Sequence, residues 1–253
     1  MIRILVPILF GLFLEPAVQT MNPTPEDLLE GAVHAIGGED AIESLESFKL
    51  HGMIRLPDGR AIIEIDLATA VGGKVLAVQT FVGIGQTRFG SDGTTSWEEN
   101  PGASGSRVYT LIDHRVLSQK VRQLNWVEWL TSLPLQIERM EVLEETTFDQ
   151  EPCWMLQITP ESASAKKEQV FFSKSTNRLI GRRTIEPTKN GDAVVNVYFR
   201  DWQKVGDLQL FHAVVFDREG VEVAMVFDTI EVNTVDERIF ELPTPVILMR
   251  DNQ

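Results

Sequence analysis

Apolar and polar residues alternate with a period of two along most of this chain. Phe48, Leu50, Ile54 and Leu56 take one side, and Lys49, His51, Met53 and Arg55 the other. That is the mark of a strand with one buried face. Ala61, Ile63, Ile65 and Leu67 repeat it. The pattern predicts strands at 47–57, 60–70, 73–83, 86–90 and 94–98. A second series follows at 137–147, 151–160, 167–173, 178–187, 192–204, 208–217 and 221–233. Asp-Gln-Glu, Ser-Thr-Asn, Lys-Asn-Gly-Asp and Arg-Glu-Gly separate the later strands with turn chemistry.

The period changes to helical in two places. Thr24-Pro25-Glu26-Asp27 combines a capping residue, a proline suited to the first helical position and acids suited to the positive end of the helix dipole. Leu28, Leu29, Ala32, Val33 and Ile36 then form one stripe, and Gly37-Gly38 stops it. Glu39 to Leu45 reads as a short second helix. Between the two strand series, Ile112, Val116, Leu117, Val121, Leu124 and Val127 share a helical face. Trp126, Trp129, Leu130 and Leu133 continue it as far as Pro134.

No linker, repeat or low-complexity segment divides the chain. The expectation is a signal peptide over 1–20 and one α+β domain over 21–253, a curved antiparallel sheet with helices on its concave face. Several strands, such as Val75 to Val82 and Phe211 to Phe216, are apolar on both faces. Helices must cover the concave side fully, or that side encloses an apolar cavity. The pattern alone leaves both open.

Arg3 followed by the apolar run Ile4 to Leu14 has signal-peptide dimensions and falls well short of the roughly 20 residues of a spanning helix. Export is therefore expected, with cleavage near residue 20. The alternative is an uncleaved tail packed on the domain. The net charge of −14 argues against nucleic acid, which requires a basic face. Cys153, the lone cysteine, lies in a strand-like run and reads as a buried thiol. His34, His51, His114 and His212 show no metal-ligand spacing, and neither a nucleophile elbow nor a phosphate loop is present. Asp92, Glu98 and Glu99 cluster near an Asp-Gly turn, where capping the turn explains them better than acid–base chemistry. No cofactor, metal or catalytic residue is expected.

Phe89-Gly90-Ser91-Asp92-Gly93-Thr94-Thr95-Ser96-Trp97 fits Phe-x-x-Asp-Gly-x-x-x-Trp. It follows an apolar N-terminus, a short helix, Gly-Gly and a long meander, and it precedes a helical insert, more strands and a closing Phe240-Glu241-Leu242-Pro243. In that order the features resemble the LolA-like superfamily of periplasmic lipoprotein carriers, over most of residues 24–245. The resemblance implies a half-open β barrel, with helices as a lid over a cavity for acyl chains. No arginine here can be matched to the family's gating arginine. The candidate ligand-binding residues are Trp126, Trp129 and Leu130 on the insert and Phe81 on the sheet. The implied protein is a non-enzymatic periplasmic or secreted carrier or sensor of lipoprotein acyl chains or another apolar ligand. The alternative is an envelope interaction module that docks another protein without lipid cargo.

Overall fold

The computed structural model of the chain describes residues 22–126, 128, 130, 137–160, 167–188 and 191–252. The expected signal region, Val127, Trp129 and Leu133 lie outside the described residues. Helix α1 (Pro25–Ala35) starts as its sequence predicts. The Thr24 side chain accepts from Asp27 N at 3.1 Å, and Thr24 N donates to the Asp27 carboxylate at 2.8 Å, a reciprocal capping box. The helix ends against the sheet, where Gln209 N donates to Ile36 O at 2.9 Å. Helix α2 is Glu39–Glu43.

Among the described residues thirteen strands form one curved, open antiparallel sheet. The first six are β1 (Ser47–Arg55), β2 (Ala61–Ala70), β3 (Lys74–Phe81), β4 (Gly85–Asp92), β5 (Ser96–Pro101) and β6 (Arg107–Leu111). After α3 (His114–Arg122) come β7 (Ile137–Phe148), β8 (Glu151–Pro160), β9 (Glu168–Ser173) and β10 (Leu179–Thr188). Strands β11 (Gly191–Val205), β12 (Leu208–Arg218) and β13 (Val221–Val232) complete the sheet, and helix α4 (Thr244–Arg250) follows. The spatial order is β6-β5-β4-β3-β2-β1-β13-β12-β11-β10-β9-β8-β7.

That order decides where the middle of the chain must run. Strands β6 and β7 are successive in sequence yet form opposite edges of the sheet. The segment joining them has to cross the open side of the half-barrel. Its described residues do so: Leu117, Val121, Leu124, Trp126 and Leu130 are buried in the same cluster as Phe48, Leu50, Ile65, Leu67, Val197 and Phe227 on the concave face. Leu28, Ala32 and Ile36 of α1 join them.

The convex face is covered in two places. The one-turn 3-10 segment Glu237–Phe240 and α4 pack on β3, β4 and β6, burying Phe240 and Val246. At the other side Phe148 folds back and stacks on Phe171, ring centroids 3.8 Å apart. Gly181 makes this possible, because a Cβ there would strike both the Phe148 ring and Val197 O. Asp149, at φ +48°, anchors the turn by accepting two 2.7 Å hydrogen bonds from Arg200. Those bonds push the Arg200 pKa upward, against the effect of burial. Cys153 lies beneath this cover, and burial raises its thiol to about 11. It is a core residue, and a thiol raised in this way carries little thiolate.

The Phe-x-x-Asp-Gly-x-x-x-Trp segment is a two-sided clamp. Phe89 is buried on the concave face, and Trp97 on the convex face opposite Gly90. Between them the Asp92 carboxylate accepts from Thr94 N at 2.9 Å, Thr95 N at 2.8 Å and the Thr94 hydroxyl at 2.8 Å. Gly93 supplies the φ of +100° that the turn requires. Partial burial pushes the Asp92 carboxyl up, but these hydrogen bonds outweigh it and hold the group below its ordinary carboxylate value. A lowered folded pKa stabilises above the unfolded carboxylate range, and the gain is lost as pH falls through the folded value. Asp92→Asn should therefore cost about 1 kcal/mol at pH 7. In urea titrations, its difference from the parent chain should shrink at pH 3.

Two sequence expectations change. The helical insert expected over 110–133 is not continuous: residues 110–112 precede α3, and the chain turns at Gln123–Asn125. Residues 107–111, where no strand is expected and the helical segment is expected to begin, form strand β6 on β5.

Candidate functional site

The candidate site is the concave side of the half-barrel and the segment that crosses it. Helix α3 begins at Asp113, whose carboxylate accepts from Arg115 N at 2.7 Å. It places Leu117 and Val121 inward at helical spacing. After the turn, Asn125 caps the next segment by accepting from Glu128 N at 3.1 Å, and its amide donates to the Glu128 carboxylate at 3.0 Å. This turn drops Trp126 into the half-barrel.

Trp126 is 6% exposed and meets two sheet aromatics. Phe199 lies 6.0 Å away and tilted, and Phe216 lies edge-on at 5.5 Å. The guanidinium of Arg182 sits over the Trp126 ring at 4.9 Å and donates to Glu168 at 3.0 Å. Arg182 pairs in register with Val170 and Val197, both in the concave cluster, so its charged group is inside the half-barrel. A cation on an aromatic face, with a carboxylate behind it, links the crossing segment to the sheet electrostatically.

Leu130 is buried with Leu29, Ala32, Val33, Ile36, Phe172 and Leu179 around an apolar void of about 10 Å³. That is close to the room one water needs. No acyl chain fits there with the helices in this position. The larger opening, about 590 Å³, lies at one end of the half-barrel, between α3 and the ends of β1, β2 and β3.

The structure thus brings Trp126 and Leu130 together in one interior cluster. Phe81 is elsewhere: it ends β3 at the β3–β4 turn, half-buried and paired with Ile63 and Gly85. Arg182 and Glu168 went unnoticed in the sequence. Strand alternation across Leu179, Gly181 and Arg183 would place Arg182 opposite Leu179. A bulge between Leu179 and Gly181 restores Arg182 to the inner face. Among the described residues no group of three or more His, Cys, Asp or Glu is placed to hold a metal. None of their helices is long and apolar enough to cross a membrane.

No protein-family model matches the sequence, and no curated protein matches it either. Solved structures do match. A LolA superfamily protein from Nitrosomonas europaea aligns with 87% of this chain and 99% of its own at a TM-score of 0.55 and 13% identity. The fold is LolA-like. A putative outer membrane lipoprotein-sorting protein domain from Vibrio parahaemolyticus aligns over 84% of this chain and 95% of its own, with TM-score 0.54 and 14% identity. A DUF1329 family protein from Desulfovibrio piger aligns over 85% and 96%, with TM-score 0.54 and 12% identity. With 12–14% identity to these structures, what is similar is the fold.

Proposed function

We propose that this chain is a non-enzymatic carrier or sensor that takes up a lipidated or otherwise apolar ligand between the concave face and the crossing segment. The observation that carries this reading is the topology. An open, apolar half-barrel is crossed by one segment that inserts Trp126 and Leu130, and side-chain packing with an Arg182–Trp126 contact holds that segment down. Such a cover can lift without breaking a strand ladder. The ligand would replace it against the sheet, with Trp126 and Leu130 lining the replaced surface. Acyl burial contributes about 0.8 kcal/mol per CH₂, so a 16-carbon chain supplies on the order of 10 kcal/mol before the costs of binding. The name of the lipoprotein-sorting domain and the signal-like N-terminus both support work in the cell envelope.

Mass spectrometry of organic extracts from natively purified protein tests the reading. A stoichiometric amphiphile is expected in the extract. Protein that yields none, and that fails to bind added fatty acid or lipopeptide in tryptophan-emission titrations, would refute it.

A further inference from the structure

The opening at the end of the half-barrel has a composition of its own. Its floor is apolar and continuous with the core: Phe48, Val75, Leu117 and Val121 all belong to the concave cluster. Its rim is polar and carries both signs of charge, with Arg122 on α3 and Glu46 and Glu128 nearby. An opening of about 590 Å³ is of ordinary ligand-site size.

The charges around it are not equally available. Lys74 reaches the rim but directs its ammonium to Glu237, 3.0 Å away. His114 is engaged with the Ser96 hydroxyl at 2.9 Å. Glu128 accepts from Asn125. Arg122 makes neither an ion pair nor a side-chain hydrogen bond among the described residues. This is unusual in a chain with 37 acidic against 23 basic side chains. Helix α3, His-Arg-Val-Leu-Ser-Gln-Lys-Val-Arg, holds three cations and no acid. Lys120 is matched by Glu98 at 2.9 Å, while Arg115 and Arg122 have no acidic partner among the described residues. A guanidinium held at the rim of an apolar-floored opening suits the head of an amphiphile, whose phosphate or carboxylate it can grip with two parallel hydrogen bonds.

We infer that the opening between α3 and the ends of β1–β3 holds the anionic head of a single-chain amphiphile, with Arg122 as its counter-ion and the alkyl chain entering over Phe48 and Leu117. This rests on the proposed uptake of an apolar ligand and specifies its head. Glu46 opposes the same head and weakens it, so its removal should tighten binding.

Calorimetric titration of the full chain with dodecyl phosphate, monolaurin and inorganic phosphate tests the assignment. Dodecyl phosphate should bind about tenfold more tightly than neutral monolaurin, as one charge-assisted contact predicts. Arg122→Gln should abolish that preference while leaving monolaurin affinity unchanged, and Glu46→Gln should enlarge it. Arg122 is exposed on α3, so its replacement leaves the fold intact; circular dichroism of the variant verifies this. Equal affinities for the two amphiphiles, or a preference that survives in Arg122→Gln, would overturn the head assignment but spare the carrier reading. Inorganic phosphate binding as tightly as dodecyl phosphate would make this a free-anion site and overturn the assignment too. Failure of both amphiphiles to bind would overturn both proposals.

Discussion

Phe211→Ala should lower the free energy of unfolding by about 3–5 kcal/mol, the range for deleting a large buried aromatic. Phe211 has no exposed surface. It stacks on Phe199 at 4.6 Å and meets Trp202 edge-on at 5.4 Å. Its strand, β12, is held by β11 and β13 on its two sides, so the backbone cannot collapse into the hole. Urea unfolding followed by circular dichroism measures the loss. A cost under about 1 kcal/mol would mean that the aromatic stack is not the centre of the core.

Trp126→Ala is the second substitution of large effect, and its outcome separates a cover from a core. The ring is buried against Phe199, Phe216 and Arg182, so truncation should cost about 3 kcal/mol or more in the ligand-free protein. If Trp126 also lines bound ligand, affinity for a fatty acid should fall in the same variant, and Trp126→Phe should restore part of both. A large stability loss with unchanged affinity would make Trp126 purely structural. Stability curves and ligand titrations on the same preparation provide both readouts.

The strand ladder was legible because alternation is a local signal, and each expected strand from 47–57 to 221–233 has its counterpart within a few residues. Strand β6 was not legible. Ile112 continues the apolar spacing of α3, and only the pairing of Arg107–Leu111 with Trp97–Pro101 identifies a strand there. The break at Asn125 could have been read, since an asparagine three residues before a glutamate is a helix-start signature. So could α4, where Pro245 occupies the first turn. The interior position of Arg182 could not, because it depends on a bulge that leaves no mark in the residue pattern. For the same reason, whether the concave side is filled or hollow was beyond the sequence. The answer lies in how tightly Leu130 and α1 close over Phe172 and Leu179, leaving a void of about 10 Å³.

Every neighbouring pair in the sheet is also consecutive in the chain, with one exception: β1 lies against β13, Phe48 opposite Val232. The molecule is in effect two meanders zipped along one seam. Each half can assemble from short-range contacts, but the seam must await the encounter of distant parts of the chain, which is the slow, loop-entropy-limited kind of event. A nick in the crossing segment would sort β1–β6 and β7–β13 into separate fragments with that seam as the one strand pairing between them. Reassembly of the two pieces from dilute solution would then report directly on how strongly a single antiparallel join holds a thirteen-stranded sheet together.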